Sequence, residues 1–411
     1  MTVAGLCVSA VLLGAAVVAA FLPAPVRHGS WLPVHLAVAG AASVAIGAVL
    51  PFFVAALSAT EPAPSGFRVA VVALLAIGAL GVTGGIGSGE LRLATAGGAT
   101  FVVGMAGLAT LVAVLLRRAV APRWRPLGVT YLVALAEVLV GATIATLYVA
   151  GWPPIVDGWT TLKPAHAWLN LFGFLALVID TTLVHLLPTT IGARIEPSRL
   201  LRLALLALAG GPIVAALGYV AAADSVALAG AATTLAGSVG LAVHLAATWR
   251  SRSRWTTDLG WHAFTSGSLG AAIAWQVAGV AIALAGIALH GTAPAGWAFS
   301  SFATPLVLGF AVQALLGALT HLLPAIGPGD QARHAEQRRL LGLGARGRFA
   351  LFNAGTLLLA IGLPSELGPL TALGAVLAAS SASGSIALVA RAVVRADQAA
   401  QPLRKTGEVR R

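Results

Sequence analysis

The stretch HAWLNLFGFLALVIDTTLVHLLP, residues 166–188, contains no Asp, Glu, Lys or Arg except Asp180. A run of about 20 mostly apolar residues makes a helix long enough to cross the hydrocarbon core of a bilayer. The end of this run, LVHLLP at 183–188, recurs as LTHLLP at 319–324, again after a long apolar run. Residues 166–188 therefore predict a membrane-spanning helix, and their recurrence predicts an internal repeat.

The composition of the whole chain agrees with a membrane protein. Of 411 residues, 58% are hydrophobic and 9% are charged, and the mean hydropathy is +0.93. A soluble domain has roughly 25% charged residues, so lipid must be the solvent of this chain. The single cysteine, Cys7, excludes an internal disulfide and a cysteine metal cage. The sequence contains no P-loop and no GxSxG, HExxH or CxxC motif.

Long apolar runs define the predicted fold. We predict an all-α polytopic membrane protein with about twelve transmembrane helices. The eleventh run is the weakest, because Asn353 and Pro364 shorten it. The predicted spans are 3–24, 31–57, 67–87, 92–116, 127–150, 163–188, 200–222, 224–248, 261–289, 297–324, 348–363 and 368–394.

Basic residues are distributed unequally between the two sides of these spans. If loops alternate, 22 Lys and Arg residues lie on one side, and only Arg27, Arg92 and Lys163 lie on the other. Cytoplasmic loops carry such an excess, so we expect both termini in the cytoplasm of a bacterium, with the chain in its inner membrane. This placement explains the net charge of +12 without a nucleic-acid partner. The lipid bilayer is the expected partner.

The repeated HLLP ends predict three related units. His185 and His321 are 136 residues apart, and a step of 137 residues back from Pro188 reaches Pro51 in AVLPFF. Three such steps equal the chain length, and each contains four spans. In the first copy Ala48 replaces the histidine. We predict one transmembrane domain, 1–396, with pseudo-repeats of about 1–137, 138–274 and 275–396, and a disordered cytoplasmic tail, 397–411.

Twelve helices in three sets of four, with HAWLNLFGF at 166–174, HLLPTTIG at 185–192 and GFAVQALLGALTHLLPAIG at 309–327, resemble known membrane proteins. The pattern is similar to haem-copper oxidase subunit I, to the NnrS family of haem- and copper-containing membrane proteins, and to the membrane part of actinobacterial proteins labelled copper oxidases. The resemblance implies that spans 2, 6 and 10 are innermost. It also implies a haem-ligand position at His35 and a related position at His166.

The chain departs from the oxidase pattern at the binuclear site. Span 7 has no histidine, and Phe302 stands at the position of span 10 that repeats His166. The oxidase copper ligands and the haem ligand of span 10 are therefore missing. We expect no O₂ reduction by the oxidase mechanism.

The remaining histidines suggest a cofactor but leave alternatives open. His185 and His321 share a repeat position, each one turn before a proline that frees a carbonyl, which we expect to accept an imidazole N–H. His244 and His262 lie toward the same membrane side, and either one would complete a metal site with His185 and His321. His35 and His166 lie toward the other side. Any haem would be b-type, since no CxxCH exists, and copper is the other candidate. Alternatively, these histidines bond to loop carbonyls or water.

Two carboxylates lie inside spans, where ionised groups are costly and usually functional. Glu137 and Asp180 are candidates for a proton path. At 100° per residue, a stripe from His166 through Asn170 to Asp180 is predicted to face the array centre. The resemblance described above implies an integral membrane haem- or copper-binding protein of the NnrS-like type, in nitrosative-stress defence or metal handling. The alternatives are a proton-coupled transporter or channel for a small solute without a cofactor, and a subunit that anchors a partner.

Overall fold

The computed structural model describes residues 2–120, 125–252, 259–293, 299–327 and 330–398, and no strand occurs in these ranges. Twelve long helices, named α1 to α12, confirm the all-α class, and each agrees within a few residues with a predicted span. They are Thr2–Ala20, Trp31–Ser58, Ser65–Ser88, Leu91–Arg117, Arg125–Val149, Trp159–Ile191, Arg199–Val220, Asp224–Arg250, Leu259–His290, Phe299–Ile326, Ala345–Gly362 and Gly368–Gln398.

Eleven of these helices, within the described residues, are long and apolar enough to cross a membrane. The exception is α11, whose 18 residues include Arg346 and Arg348. At 1.5 Å per residue α11 is about 27 Å long, close to the thickness of the hydrocarbon core. The chain is therefore a multi-pass membrane protein, and α11 is the one helix whose crossing is not established by length and composition.

The helices α2, α6 and α10 form the interior of the bundle. In their most apolar windows 72%, 89% and 89% of the residues are buried, against 28–44% in the other eight candidate spans of the described residues. Each inner helix also contains a π-helical segment, at Leu36–Ala42, Trp168–Ala176 and Thr304–Val312. Such wide turns are rare and frequently lie at functional sites. The segment of α10 packs against those of α2 and α6.

Three outer hairpins are packed through glycines. In α3 and α4, Gly78 contacts the backbone of Phe101, and in α7 and α8, Gly218 contacts that of Ala227. In α11 and α12, Gly355 contacts that of Ala378. Small residues let membrane helices approach closely, so that dispersion contacts stabilise the pair without a hydrophobic driving force.

The predicted repeat boundaries at 137/138 and 274/275 fall inside α5 and α9. The division of the chain into repeats stays a prediction. The segment between the tenth and eleventh predicted spans, 325–347, contains a helix, Gln331–Leu341, which begins after an Asp330 side-chain cap on the Arg333 N–H. Helix α12 continues to Gln398, beyond the predicted start of the tail at 397. The remaining tail, 399–411, lies outside the described residues.

Candidate functional site

His35 and His166 lie near the start of α2 and α6, at one end of the bundle. Nδ1 of His35 is 2.8 Å from the carbonyl oxygen of Trp31, one turn earlier, and Nδ1 of His166 is 2.8 Å from that of Gly141 on α5. If each Nδ1 carries the proton and donates to its carbonyl, Nε2 keeps a free lone pair. The two rings lie within electrostatic reach of each other. This arrangement is typical of histidines that bind a metal, where the second nitrogen is held by a carbonyl.

Aromatic rings and one amide surround this pair. The indole of Trp31 stacks on His35 with ring centroids 4.2 Å apart, and Trp159 lies 6.3 Å from His166. The amide of Asn170 donates to the His166 carbonyl oxygen at 2.7 Å. Trp31 and Trp159 were not among the site residues predicted from the sequence. A tryptophan four residues before His35 and seven before His166 is the signal that would have indicated them.

His185 and His321 lie at the other end of α6 and α10, which we call the proline end because it contains Pro51, Pro188 and Pro324. His185 is buried and packs against the ring of Phe53 at 4.8 Å, and the backbone of Thr181, one turn earlier on α6, lies within reach of its imidazole. His321 stacks on Trp261 at 5.3 Å.

The expected carbonyl partner of these histidines is not observed in the described residues. Nδ1 of His321 lacks a partner, and the backbone group within reach of His185 is that of Thr181, not the Val184 carbonyl that Pro188 frees. Pro324 cannot donate to the carbonyl of Thr320, one turn earlier, and this carbonyl accepts from Nε1 of Trp261 at 2.7 Å. The Thr320 carbonyl lacks its helical donor, as predicted, but it accepts from the indole of Trp261 on α9 and not from an imidazole.

The structure does not bring the four histidines of the proline end together. His262 lies within electrostatic reach of His321, whereas Nδ1 of His244 is 3.2 Å from the hydroxyl of Ser198, the residue that caps the start of α7. In the described part of the chain, no three His, Cys, Asp or Glu side chains form a group that would hold a metal ion. His244 therefore does not complete a site with His185 and His321.

Glu137 of α5 faces the π-helical segment of α6. Its side chain is buried, and neither carboxyl oxygen has a hydrogen-bond partner among the described residues. The carboxyl group occupies the space that a side chain at Gly173 would need. One turn away, the amide of Asn170 occupies the space above Gly141 in the same manner. Two glycines, one on each helix, thus accommodate polar side chains from the opposite helix.

Asp180 is fully buried and its Oδ2 accepts from Nε2 of Gln276 on α9 at 2.6 Å. Its Oδ1 has no partner among the described residues, nor do the amide atoms of the buried Gln313 on α10. Gln276 therefore links two helices, as expected of an amide within a bundle.

Beyond His166, which also lies within electrostatic reach of His35 on α2, the polar stripe of α6 does not face the array centre as predicted. His166 and Asn170 face α5, and Asp180 faces α9. The residues of α6 that face α2 and α10 include Leu175, Val178 and Leu186. The reason is the π-helical segment, because i→i+5 turns contain more residues than α-turns and change the face on which later residues lie.

Comparison with known proteins gives no family for this chain. No family model matches it, and no curated protein sequence matches it.

Proposed function

We propose that the chain is an integral membrane protein that binds a b-type haem through His35 and His166. The observation that carries this proposal is the pair of imidazoles, each with Nδ1 at 2.8 Å from a backbone carbonyl and with Nε2 available. One or two protein side chains are enough to hold a haem iron. Two histidines are therefore a sufficient donor set, whereas a copper site built from three or four side chains has no candidate among the described residues.

The residues around the pair have separate roles in this proposal. The Trp31 carbonyl selects the Nδ1–H tautomer of His35, and ring stacking restricts its imidazole. At His166 the Gly141 carbonyl selects the same tautomer when the Asn170 amide, 2.9 Å from Nδ1, directs its hydrogen to the His166 carbonyl instead. The Asn170 amide donates a hydrogen bond to the His166 carbonyl and so restricts the backbone at His166. A bound haem would supply a one-electron redox centre. By the resemblance to NnrS-like proteins, we place the protein in the bacterial inner membrane, in nitrosative-stress defence or metal handling.

The test is to purify the wild type and the variants His35→Ala, His166→Ala, His185→Ala and His321→Ala, and to compare visible spectra and bound iron and copper. We expect a Soret band that is lost in the first two variants and kept in the last two. His28→Ala is the matched control, because His28 lies near the same end of α2. Retention of haem by both His35→Ala and His166→Ala would refute the assignment.

A second candidate is a proton-coupled transporter or channel without a cofactor. It is favoured by the buried carboxyl groups of Glu137 and Asp180, three of whose four oxygens have no partner among the described residues. Such groups inside a bilayer usually serve transport or proton relay. If all purified forms are colourless and metal-free, this candidate replaces the first. Proton uptake into proteoliposomes should then be lost in Asp180→Asn.

A further inference from the structure

A cavity of about 90 Å³, partly open to the surface of the bundle, lies between α2, α6 and α10. It is lined by side chains from residues 42–53, 175–186 and 311–322, together with Leu6 of α1. Each lining range spans eleven residue intervals, and at a rise of 1.5 Å per residue the cavity is about 16 Å long in the direction of the helices. The cavity is therefore narrow and runs along the axis of the three inner helices. We call it the axial cavity.

The helix sequences explain why the axial cavity exists. The π-helical segments end at Ala42, Ala176 and Val312, and the cavity begins at these positions. Beyond this point alanines line the cavity on α2 and α10, including Ala45, Ala314 and Ala318. Their methyl groups are too small to fill the space between three helices.

The lining of the axial cavity has no free hydrogen-bonding group for a water molecule. Every lining side chain is aliphatic except Phe53 and Thr182. The Thr182 hydroxyl already donates to the Val178 carbonyl at 2.7 Å and lies 3.0 Å from the Tyr131 hydroxyl. A buried water typically needs two to four polar partners, and apolar cavities without them stay dry.

The volume decides which apolar molecule fits. A dry protein cavity of about 150 Å³ binds benzene or xenon, as an engineered cavity in another protein shows. The axial cavity is smaller, so an aromatic ring does not fit. We propose that it is a binding site for an uncharged apolar molecule of diatomic size, such as dioxygen. This inference does not depend on the haem.

The experiment uses xenon as the probe, in crystals of the full chain under xenon pressure. We expect an anomalous peak between Ala45, Val178 and Ala314 in the wild type. Ala314→Leu places three more carbons in the cavity and should abolish the peak. Leu319→Ala, which enlarges the cavity, should increase it, so the proposal stays testable if one variant fails to fold.

Two controls match these changes at lipid-facing positions. Ala274→Leu on α9 and Leu206→Ala on α7 alter exposed side chains and should leave the peak unchanged. Xenon that binds elsewhere but not in the axial cavity would overturn the proposal. Water or an ordered acyl chain in the wild-type cavity would overturn it as well.

Discussion

The carboxyl group of Glu137 lies against the backbone of Gly173, in the π-helical segment of α6, where only a glycine leaves room for it. Neither carboxyl oxygen has a hydrogen-bond partner among the described residues. Burying a polar group without a hydrogen-bond partner costs free energy. The packing of α6 against Glu137 therefore carries a cost that an apolar side chain at this position would not have. The relationship between these two residues is open to a direct test.

Gly173→Ala should destabilise the protein, because the new methyl group overlaps the Glu137 carboxyl group. Overpacking of this kind typically costs about 1–3 kcal/mol. The double variant Gly173→Ala with Glu137→Ala should recover most of the loss, since the overlapping group is gone. The measurement is the thermal unfolding midpoint in detergent.

Gly84 of α3 is the matched control, because its missing Cβ would meet no atom within 4 Å. Gly84→Ala should leave the midpoint unchanged or raise it, as alanine is favoured over glycine in helices by about 1 kcal/mol. Equal destabilisation by Gly173→Ala in the presence and absence of Glu137 would show that the two residues do not conflict.

Arg348 should be required for the position of the helix Gln331–Leu341. Its guanidinium donates to the carbonyls of Leu341 and Leu343 at 2.5 and 3.0 Å and to the Ser385 hydroxyl at 2.8 Å, and it lies 4.0 Å from the Phe264 ring centroid. In Arg348→Met these acceptors lose their donor, and each buried unsatisfied group costs about 1–3 kcal/mol.

The expected result is faster proteolysis within residues 327–344 and a lower unfolding midpoint. Arg346→Met is the control, since Arg346 is exposed two residues earlier on the same helix. The same cleavage rate in both variants would mean that the guanidinium contacts do not hold this segment.

The membrane topology is predicted by the excess of basic residues. Reporters after residues 123, 158, 253 and 293 should report cytoplasm, outside, cytoplasm and outside, in that order. Reporters after Leu343 and Glu366 test whether α11 crosses the membrane, because these residues lie just beyond its two ends. We expect them on opposite sides, since Gly355 and Gly362 of α11 lie against α12 along its length. A report of the same side would remove α11 from the spans.

Oxygen reduction should be absent. Helix α7 has no histidine, and buried Phe302 occupies the site on α10 that repeats His166. Membranes that overproduce the protein should therefore consume O₂ no faster than control membranes with a quinol or cytochrome donor. A cyanide-sensitive increase that follows the expression level would contradict the assignment.

The fold was predictable from the sequence because the signals that define it are local. An apolar run of sufficient length specifies a membrane helix whatever surrounds it, so the spans were found to within a few residues. The HLLP repeat also indicated α2, α6 and α10 as a related set, and these three helices are the most buried.

The site depended on contacts that no local pattern contains. Asp180 and Gln276 are 96 residues apart, and the pairing of His35 with His166 joins two helices 131 residues apart. The π-helical segments change which residues face a neighbour, so a uniform 100° periodicity misplaced the polar stripe of α6. The length and hydropathy of the apolar runs therefore determined the helices. Only the packing of the helices decided which histidines and carboxylates lie close together, because such contacts join helices that are distant in the chain.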